Sequence, residues 1–469
     1  MTRRRQIPRI IVSLAALMAL TGCSSTQVTD GDLTAGVWAM EAGGETYCWE
    51  LWAEGDGFGG VVHTVRGKRK ETELPIDQVI WTPPELVLHM NATGTSYRGT
   101  VDFGKGLITG HVHHGDEQGP QMDLRLTDPA DIPGLRARPA DGPAYTYTRP
   151  ATADDGWLTA HCEEADLSPD AVADLVNAIG RGEAGVVHSL LMVAGGRLVI
   201  EEYFHGYTSD DLHRLASVTK SVSSLLVGLA IDGGELPGVD TPLLDSFPDL
   251  HPADDPSWPA QTLHHLLSMS MGLDWGENDP HATGPKFFQY ILNRPILHDP
   301  GTHWAYHSAN VNLVAGVLKQ ATGQHADVFC EERLLRPLGI TAYDWDYMAT
   351  DGYSLMDGSL QLRPRDMAKL GMLLRDGGRW HGEQVVSADW IRRSITPHIE
   401  TDGPEHYGYL WWLGETSTSS GPQPVIFANG RGSQFIAWLP QSDVILVTTG
   451  GNEDNGKHFA LLGLIGGVL

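Results

Sequence analysis

Between residues 36 and 127 the apolar positions come in short runs with partial two-residue alternation: "CWELWAEG", "GFGGVVHTV", "ELVLHM", "SYRGTVDF", "GLITGHVHH" and "QMDLRL". A period of two belongs to strands with one buried face, and Gly, Asn and Asp between the runs supply turns. The pattern predicts a small all-β domain, an antiparallel meander or lipocalin-like barrel. Residues 128–156 ("PADIPGLRARPADGPAYTYTRPATADDG") are rich in Pro, Ala, Asp and Gly and predict a connector, with Tyr145 and Tyr147 available to strap it down. From Trp157 the texture becomes mixed. "SPDAVADLVNAIGRG" (168–182) reads as a Ser-capped amphipathic helix ending at glycine, and "VVHSLLMVAGGRLVIEEYF" (186–204) as a β-hairpin around Gly195-Gly196. "LHRLASVTKSVSSLLVGLAIDGGEL" (212–236) carries an apolar helix. The middle is helical and loop-rich, "QFIAWLP" and "DVILVTTGG" are late strands, and "GKHFALLGLIGGVL" is a closing helix. A hairpin early and strands late imply one antiparallel sheet built from both ends of the region and flanked by helices. A mostly helical subdomain is inserted between them, in an α/β (α+β) arrangement.

The first residues bear on compartment. "MTRRRQIPRIIVSLAALMALTGCSS" has a basic start, a short apolar run and small residues before Cys23. That is the layout of a signal peptide, and the run is too short for a permanent span. Leu20-Thr21-Gly22-Cys23 resembles the bacterial lipobox, which implies lipidation of Cys23, and Ser24 resembles outer-membrane sorting. The expected organisation is a signal peptide at 1–22, a polar tether at 23–35, the β domain at 36–127, the connector at 128–156 and the mixed domain at 157–469. The expected location is the bacterial envelope, lipid-anchored, on the periplasmic side of the outer membrane.

Net charge is −27, which disfavours nucleic acid and anionic lipid headgroups as partners. Beyond Cys23, Cys48, Cys162 and Cys330 remain, an odd number whose spacing specifies no disulfide. No CxxC occurs, so a cysteine zinc site is not expected. Gly55, Gly57 and Gly60 spell GxGxxG without a βαβ unit around them, which excludes a dinucleotide site. In "HVHH", His111 and His113 share a strand face while His114 points away; the plain reading is a solvated strand.

The chemistry lies at Ser217 and Lys220. Residues three apart on a helix share a face, so the hydroxyl and the amine meet. Ser217 falls in the first turn, where free N–H groups and the positive dipole end stabilise developing negative charge. A serine needs a base within hydrogen-bond reach, and a desolvated lysine can serve because burial favours the neutral amine. Any chain of this length can hold SxxK by chance. Six downstream blocks make the difference: "LHHLLSMSMGLDW" (263–275), "DPGTHWAYHSANVNLVAGVLKQATG" (299–323), "RLLRPLGI" (333–340), "LRPRDMAKLGMLL" (362–374), "YGYLWW" (407–412) and "ANGRGSQFIAWLP" (428–440). In this order the blocks resemble the serine hydrolases of the class C β-lactamase and penicillin-binding-protein group, over roughly residues 156–469.

The resemblance implies a β-lactamase-like fold and no metal or organic cofactor. It implies that Ser217 accepts the acyl group, Lys220 takes or supports its proton, and Tyr306 stands in the place of the catalytic tyrosine. Ser308 occupies a position where β-lactamases usually carry Asn. The third signature is best matched by Arg431-Gly432-Ser433, which would make the Gln434 N–H the partner of the Ser217 N–H in an oxyanion hole. Tyr409, Trp411 and Trp412 are candidates for the substrate cleft, with core packing as the alternative. The departures from the β-lactamase motifs point to the esterases and nylon-oligomer amidases of the group, and so to a small ester or amide substrate. The alternatives are a catalytically degenerate binding lipoprotein and a D-peptidase acting on cell-wall peptides. Neither a G-x-S-x-G elbow nor HExxH is present.

Overall fold

The computed structural model describes residues 33, 35–54, 57–67, 69–132, 134–137, 144–274, 287–346, 353–452 and 455–469. The expected signal peptide, lipidated Cys23 and Gly55 lie outside the described residues. Nine strands make the first sheet: β1 (Gly36–Ala42), β2 (Glu45–Glu54), β3 (Gly57–Arg66), β4 (Arg69–Ile76), β5 (Gln78–Thr82), β6 (Glu85–Met90), β7 (Thr95–Asp102), β8 (Leu107–His114) and β9 (Glu117–Thr127). Their order, β4-β3-β2-β1-β9-β8-β7-β6-β5, is an antiparallel meander closed by β1 against β9. The sheet curls until β5 lies against β3 and β6 against β4. Alternation fills the inside: Leu86, Leu88 and Met90 of β6 meet Trp38, Trp49, Leu51, Tyr97, Ile108 and Leu124. Trp49 and Tyr97 meet edge to face at 4.1 Å, an arrangement that aromatic quadrupoles favour. Leu33, expected in the tether, is buried in this core. On the outer face Val37, Ala39, Cys48 and Val65 are covered by Ile132 and Leu135.

Beyond the connector come α1 (Pro169–Gly180), capped by the Ser168 hydroxyl, then β10 (Val187–Ala194) and β11 (Arg197–Tyr203). The Tyr147 phenol straps the connector by donating to Val199 O at 2.9 Å, while the Tyr145 phenol donates to Glu202. There follow β12 (His213–Arg214) and α2 (Val218–Asp232), then α3 (Leu263–Leu267), α4 (Phe287–Leu292), α5 (Ser308–Val311), α6 (Leu313–Thr322) and α7 (Ala326–Cys330). The two-residue β12 joins β13 (Tyr343–Trp345) and β14 (Leu360–Leu362) in a small sheet. Next stand α8 (Pro364–Arg375), the hairpin β15 (Arg379–Trp380) and β16 (Glu383–Gln384), and α9 (Ala388–Ser394). The last strands are β17 (Ile399–Glu400), β18 (His406–Tyr407), β19 (Trp412–Thr418), β20 (Gly421–Gly430), β21 (Gln434–Leu439) and β22 (Val444–Gly450), before α10 (Asn455–Gly466).

The second sheet runs β11-β10-β22-β21-β20-β19-β18-β17, antiparallel throughout, with its two ends of sequence joined where β10 pairs β22. Helix α2 lies on one face and is buried at every residue from Val218 to Ala230. An all-round buried helix is a core element rather than a surface one. Cys48, Cys162 and Cys330 are buried free thiols.

The two sheets meet along a polar seam. His188 on β10 pairs with Lys70 O at 2.9 Å through Nε2 and stacks on Tyr207, whose phenol donates to Glu71. His205 and His213 stand beside His188, and Arg69 pairs with Asp211. Burial holds His205 down to about 3 and His213 to about 4, and pushes His188 and His63 below the ordinary histidine range.

Candidate active site

The backbone before α2 is bent to present Ser217. Leu215 N–H donates to Leu360 O, and Ala216 then takes φ +45°, a left-handed conformation costly for a residue with a Cβ. The first turn is tight: Val218, Thr219 and Lys220 N–H donate to the carbonyls of Leu215, Ala216 and Ser217. The predicted neighbours meet. Lys220 Nζ lies 2.9 Å from Ser217 Oγ and donates to Asp357 O at 2.7 Å. Lys220 is 1% exposed, so its amine is withdrawn from water while the hydroxyl beside it is half-buried.

Tyr306 is brought to the same place. Its ring centroid lies 5.1 Å from Lys220 Nζ, and the ring stacks on Trp412 at 5.8 Å and 24°. Trp304, Tyr407 and Phe427 complete an aromatic wall around Trp412. The leucine-rich segment around α3 is the scaffold behind it. Leu267 O accepts from Leu410 N–H, Met269 O accepts from Ala305 N–H, and Leu410 O accepts from Ser221 Oγ at 2.6 Å. One short backbone stretch thus fixes the tyrosine segment, residue 410 and α2 relative to one another. Ser308 is buried as the first residue of α5.

The third motif is displaced from its predicted position. A Cβ on Gly430 would sit 3.0 Å from Ser217 N and 2.5 Å from Leu215 O, so the end of β20 is pressed onto the nucleophile turn. Only glycine permits that approach. Gly432, Ser433 and Gln434 are turned to the other side. Gln434 opposes Gly430 on β21, and its amide nitrogen donates to Gly432 O and Gly450 O. Ser433 receives Asn452 Nδ2 at 3.0 Å. The strand that meets Ser217 is therefore Ala428-Asn429-Gly430, followed by Arg431. The readable signal was a glycine closing the run "VIFANG". Pairing of β20 with β19 stops at Trp412↔Phe427, short of these residues.

Two cleft candidates also move. Tyr409 is 2% exposed, stacks on His398 at 3.8 Å and meets His264 Nδ1 through its phenol at 2.9 Å. Trp411 is 1% exposed in the main core. Trp411 thus takes the core-packing alternative, and Leu410 beside it takes φ +61° in the link between β18 and β19. Trp412 alone of the three lines the site. Sequence reasoning missed the Asp357 carbonyl, which reaches Lys220 from 137 residues away and carries no local signature.

Fold and site define an SxxK serine hydrolase, built on a β-lactamase-like sheet with an all-β region in front. The chain belongs to the Beta-lactamase family, whose model matches residues 172–461. A 6-aminohexanoate-dimer hydrolase of Paenarthrobacter ureafaciens is 26% identical over 331 residues, covering 62% of this chain and 78% of that protein. Esterase EstB of Burkholderia gladioli is 30% identical over 149 residues, 28% of this chain and 38% of the esterase. Among solved structures, EstCE1, a hydrolase with promiscuous acyltransferase activity, superposes with a TM-score of 0.52 at 18% identity, over 64% of this chain and 98% of that one. That likeness is one of fold.

Proposed function

We propose that the protein cleaves a carboxylic ester or small amide through an acyl-enzyme on Ser217. The observation that carries this is the 2.9 Å contact between Lys220 Nζ and Ser217 Oγ at the head of α2, with Gly430 backbone packed on the Ser217 amide. In the reaction Ser217 Oγ attacks the carbonyl carbon and passes its proton to the Lys220 amine. The oxyanion takes hydrogen bonds from the Ser217 N–H and from the Arg431 N–H, the first amide past Gly430. Donors fixed in place for charge that appears only in the transition state are worth about 3–4 kcal/mol each. Tyr306, beside Lys220, gives its phenolic proton to the departing alkoxide or amine and takes in its place the proton held by Lys220. Water then attacks the acyl-enzyme by the reverse of these steps. The open stretch of β20 past Phe427 leaves backbone groups free for the substrate, and Trp412 supplies an aromatic wall for its apolar part.

The relatives named as an esterase and as a 6-aminohexanoate-dimer hydrolase favour these substrates over a β-lactam, as does Ser308 in place of Asn. A fluorophosphonate probe should label the purified protein, and Ser217→Ala should abolish both labelling and turnover of p-nitrophenyl esters while leaving the thermal midpoint unchanged. An unlabelled wild type would sink the proposal. The lipobox-like tetrapeptide supports an envelope lipoprotein. Radiolabelled palmitate should then enter the wild type expressed in a Gram-negative host and not Cys23→Ser; equal incorporation, or none in either, would refute the anchor.

A further inference from the structure

The turn that carries Arg431 is held from behind, and the hold reaches into the first sheet. Between β20 and β21, Gly432 takes φ +86° and Ser433 φ +64°. For serine the latter is uncommon and persists only where neighbours over-determine it. The neighbours are identifiable. Asn452 Nδ2 donates to Ser433 Oγ at 3.0 Å and to Ala184 O at 3.1 Å, and Asn452 Oδ1 accepts from Val186 N–H at 2.8 Å. The Asn452 backbone bridges Gly432 on one side and Glu73 of β4 on the other. Thr448 Oγ1 donates to Ser433 O at 2.8 Å. Asn452 is 4% exposed and spends its whole amide on this junction.

β4 in turn fixes Asn452. Glu73 N–H donates to Gly451 O at 3.1 Å, and a Cβ on Gly451 would lie 1.9 Å from Glu71 O. The two backbones are therefore in direct contact, which no other residue allows at 451. The seam bonds of Lys70, Glu71 and Arg69 to His188, Tyr207 and Asp211 hold the rest of β4 on the hydrolase.

We infer that Asn452 is a positioning residue for the oxyanion hole: clamped by β4 of the first sheet, it sets the 431–433 turn and so the aim of the Arg431 N–H at the acyl carbonyl. The inference rests on the proposed acyl-enzyme reading. It gives the all-β region a part in the chemistry, although none of its residues is placed at Ser217. Loss of aim weakens the transition state more than the ground state, so it lowers acylation and leaves substrate affinity alone.

The test measures the rate of Ser217 phosphonylation, kcat and KM for a p-nitrophenyl ester, and the acid limb of the pH–rate profile, in Asn452→Ala and Ser433→Ala. Phosphonylation and kcat should fall about 10- to 100-fold in the first, a misaligned donor costing somewhat less than an absent one. In the second they should fall in the same direction by a smaller factor. KM should stay within about twofold and the acid limb should not move, because the Lys220 pair is untouched. Rates within twofold of wild type in folded variants would overturn the inference, as would a loss accompanied by a shifted acid limb. If Asn452→Ala does not fold, Ser433→Ala decides by the same criteria. A wild type that resists the probe refutes the acyl-enzyme reading itself, a separate outcome.

Discussion

The two sheets solve the same problem in opposite ways. In the first, every strand pairs with a chain neighbour except for the single closure of β1 on β9, so register is set by tight local turns. In the second, β10 pairs with β22 from the far end of the chain, and helices α2 to α9 fill the interval. Both sheets use glycine to bring backbone close, and the purposes differ. Gly110 on β8 packs inside the first sheet, where a Cβ would lie 2.3 Å from Arg98 O; Gly430 on β20 packs on Ser217. Close packing at Gly110 serves stability, whereas at Gly430 it also builds a reaction site.

That contrast breaks most sharply under one substitution made twice. Gly430→Val should cost at least about 100-fold in kcat/KM, since it pushes the β20 amide from the Ser217 turn. Gly110→Val should destabilise by about 1–3 kcal/mol and leave kcat/KM per folded molecule unchanged. Urea titrations and ester kinetics on both variants check this; equal effects on activity would erase the distinction. A smaller effect tests the seam. His63, His188, His205 and His213 are held neutral by burial, against an ordinary value near 6.5 in the unfolded chain. Below that pH the unfolded state binds protons that the folded state refuses. The stability they contribute is complete above about pH 6.5, declines as pH falls and is exhausted near the folded values of about 4 and 3. The carboxylates of Glu50, Glu71, Glu73 and Asp211, with Lys70 and Arg69, are the charged groups that line the same seam. The thermal midpoint should drop by several degrees between pH 7.5 and 5; a flat profile would contradict it.

Much of this was legible in the sequence, for particular reasons. Ser217 and Lys220 are three residues apart on one helix, so local geometry alone makes them meet. Tyr306 is distant but sits in a block with strong turn chemistry, and it stands beside Lys220 as expected. The third motif was misplaced by two residues because Gly430 and Gly432 look equivalent in a string. Only the approach of Leu215 O and Ser217 N separates them. Tyr409 and Trp411 were cleft candidates and are buried in the core, the alternative left open for the tryptophans; a string of aromatics does not tell a wall from a core, and of the three only Trp412 meets Tyr306. The Asp357 carbonyl and the Asn452 clamp depend on long-range backbone contacts, which leave no periodic mark.

The pairing of β10 with β22 also imposes an order on the protein's making. A chain leaving the ribosome N-terminus first has all the strands of its first sheet once residue 127 has emerged. The helix that bears Ser217 follows about a hundred residues later, and by then the strand that divides β10 from the rest of its sheet has not been translated. Only once Val444–Gly450 has been made can β10 join β21 and β20, the strands on which that helix packs. A product terminated before those residues lacks the strand that joins β10 to β21, so its second sheet stays in two parts.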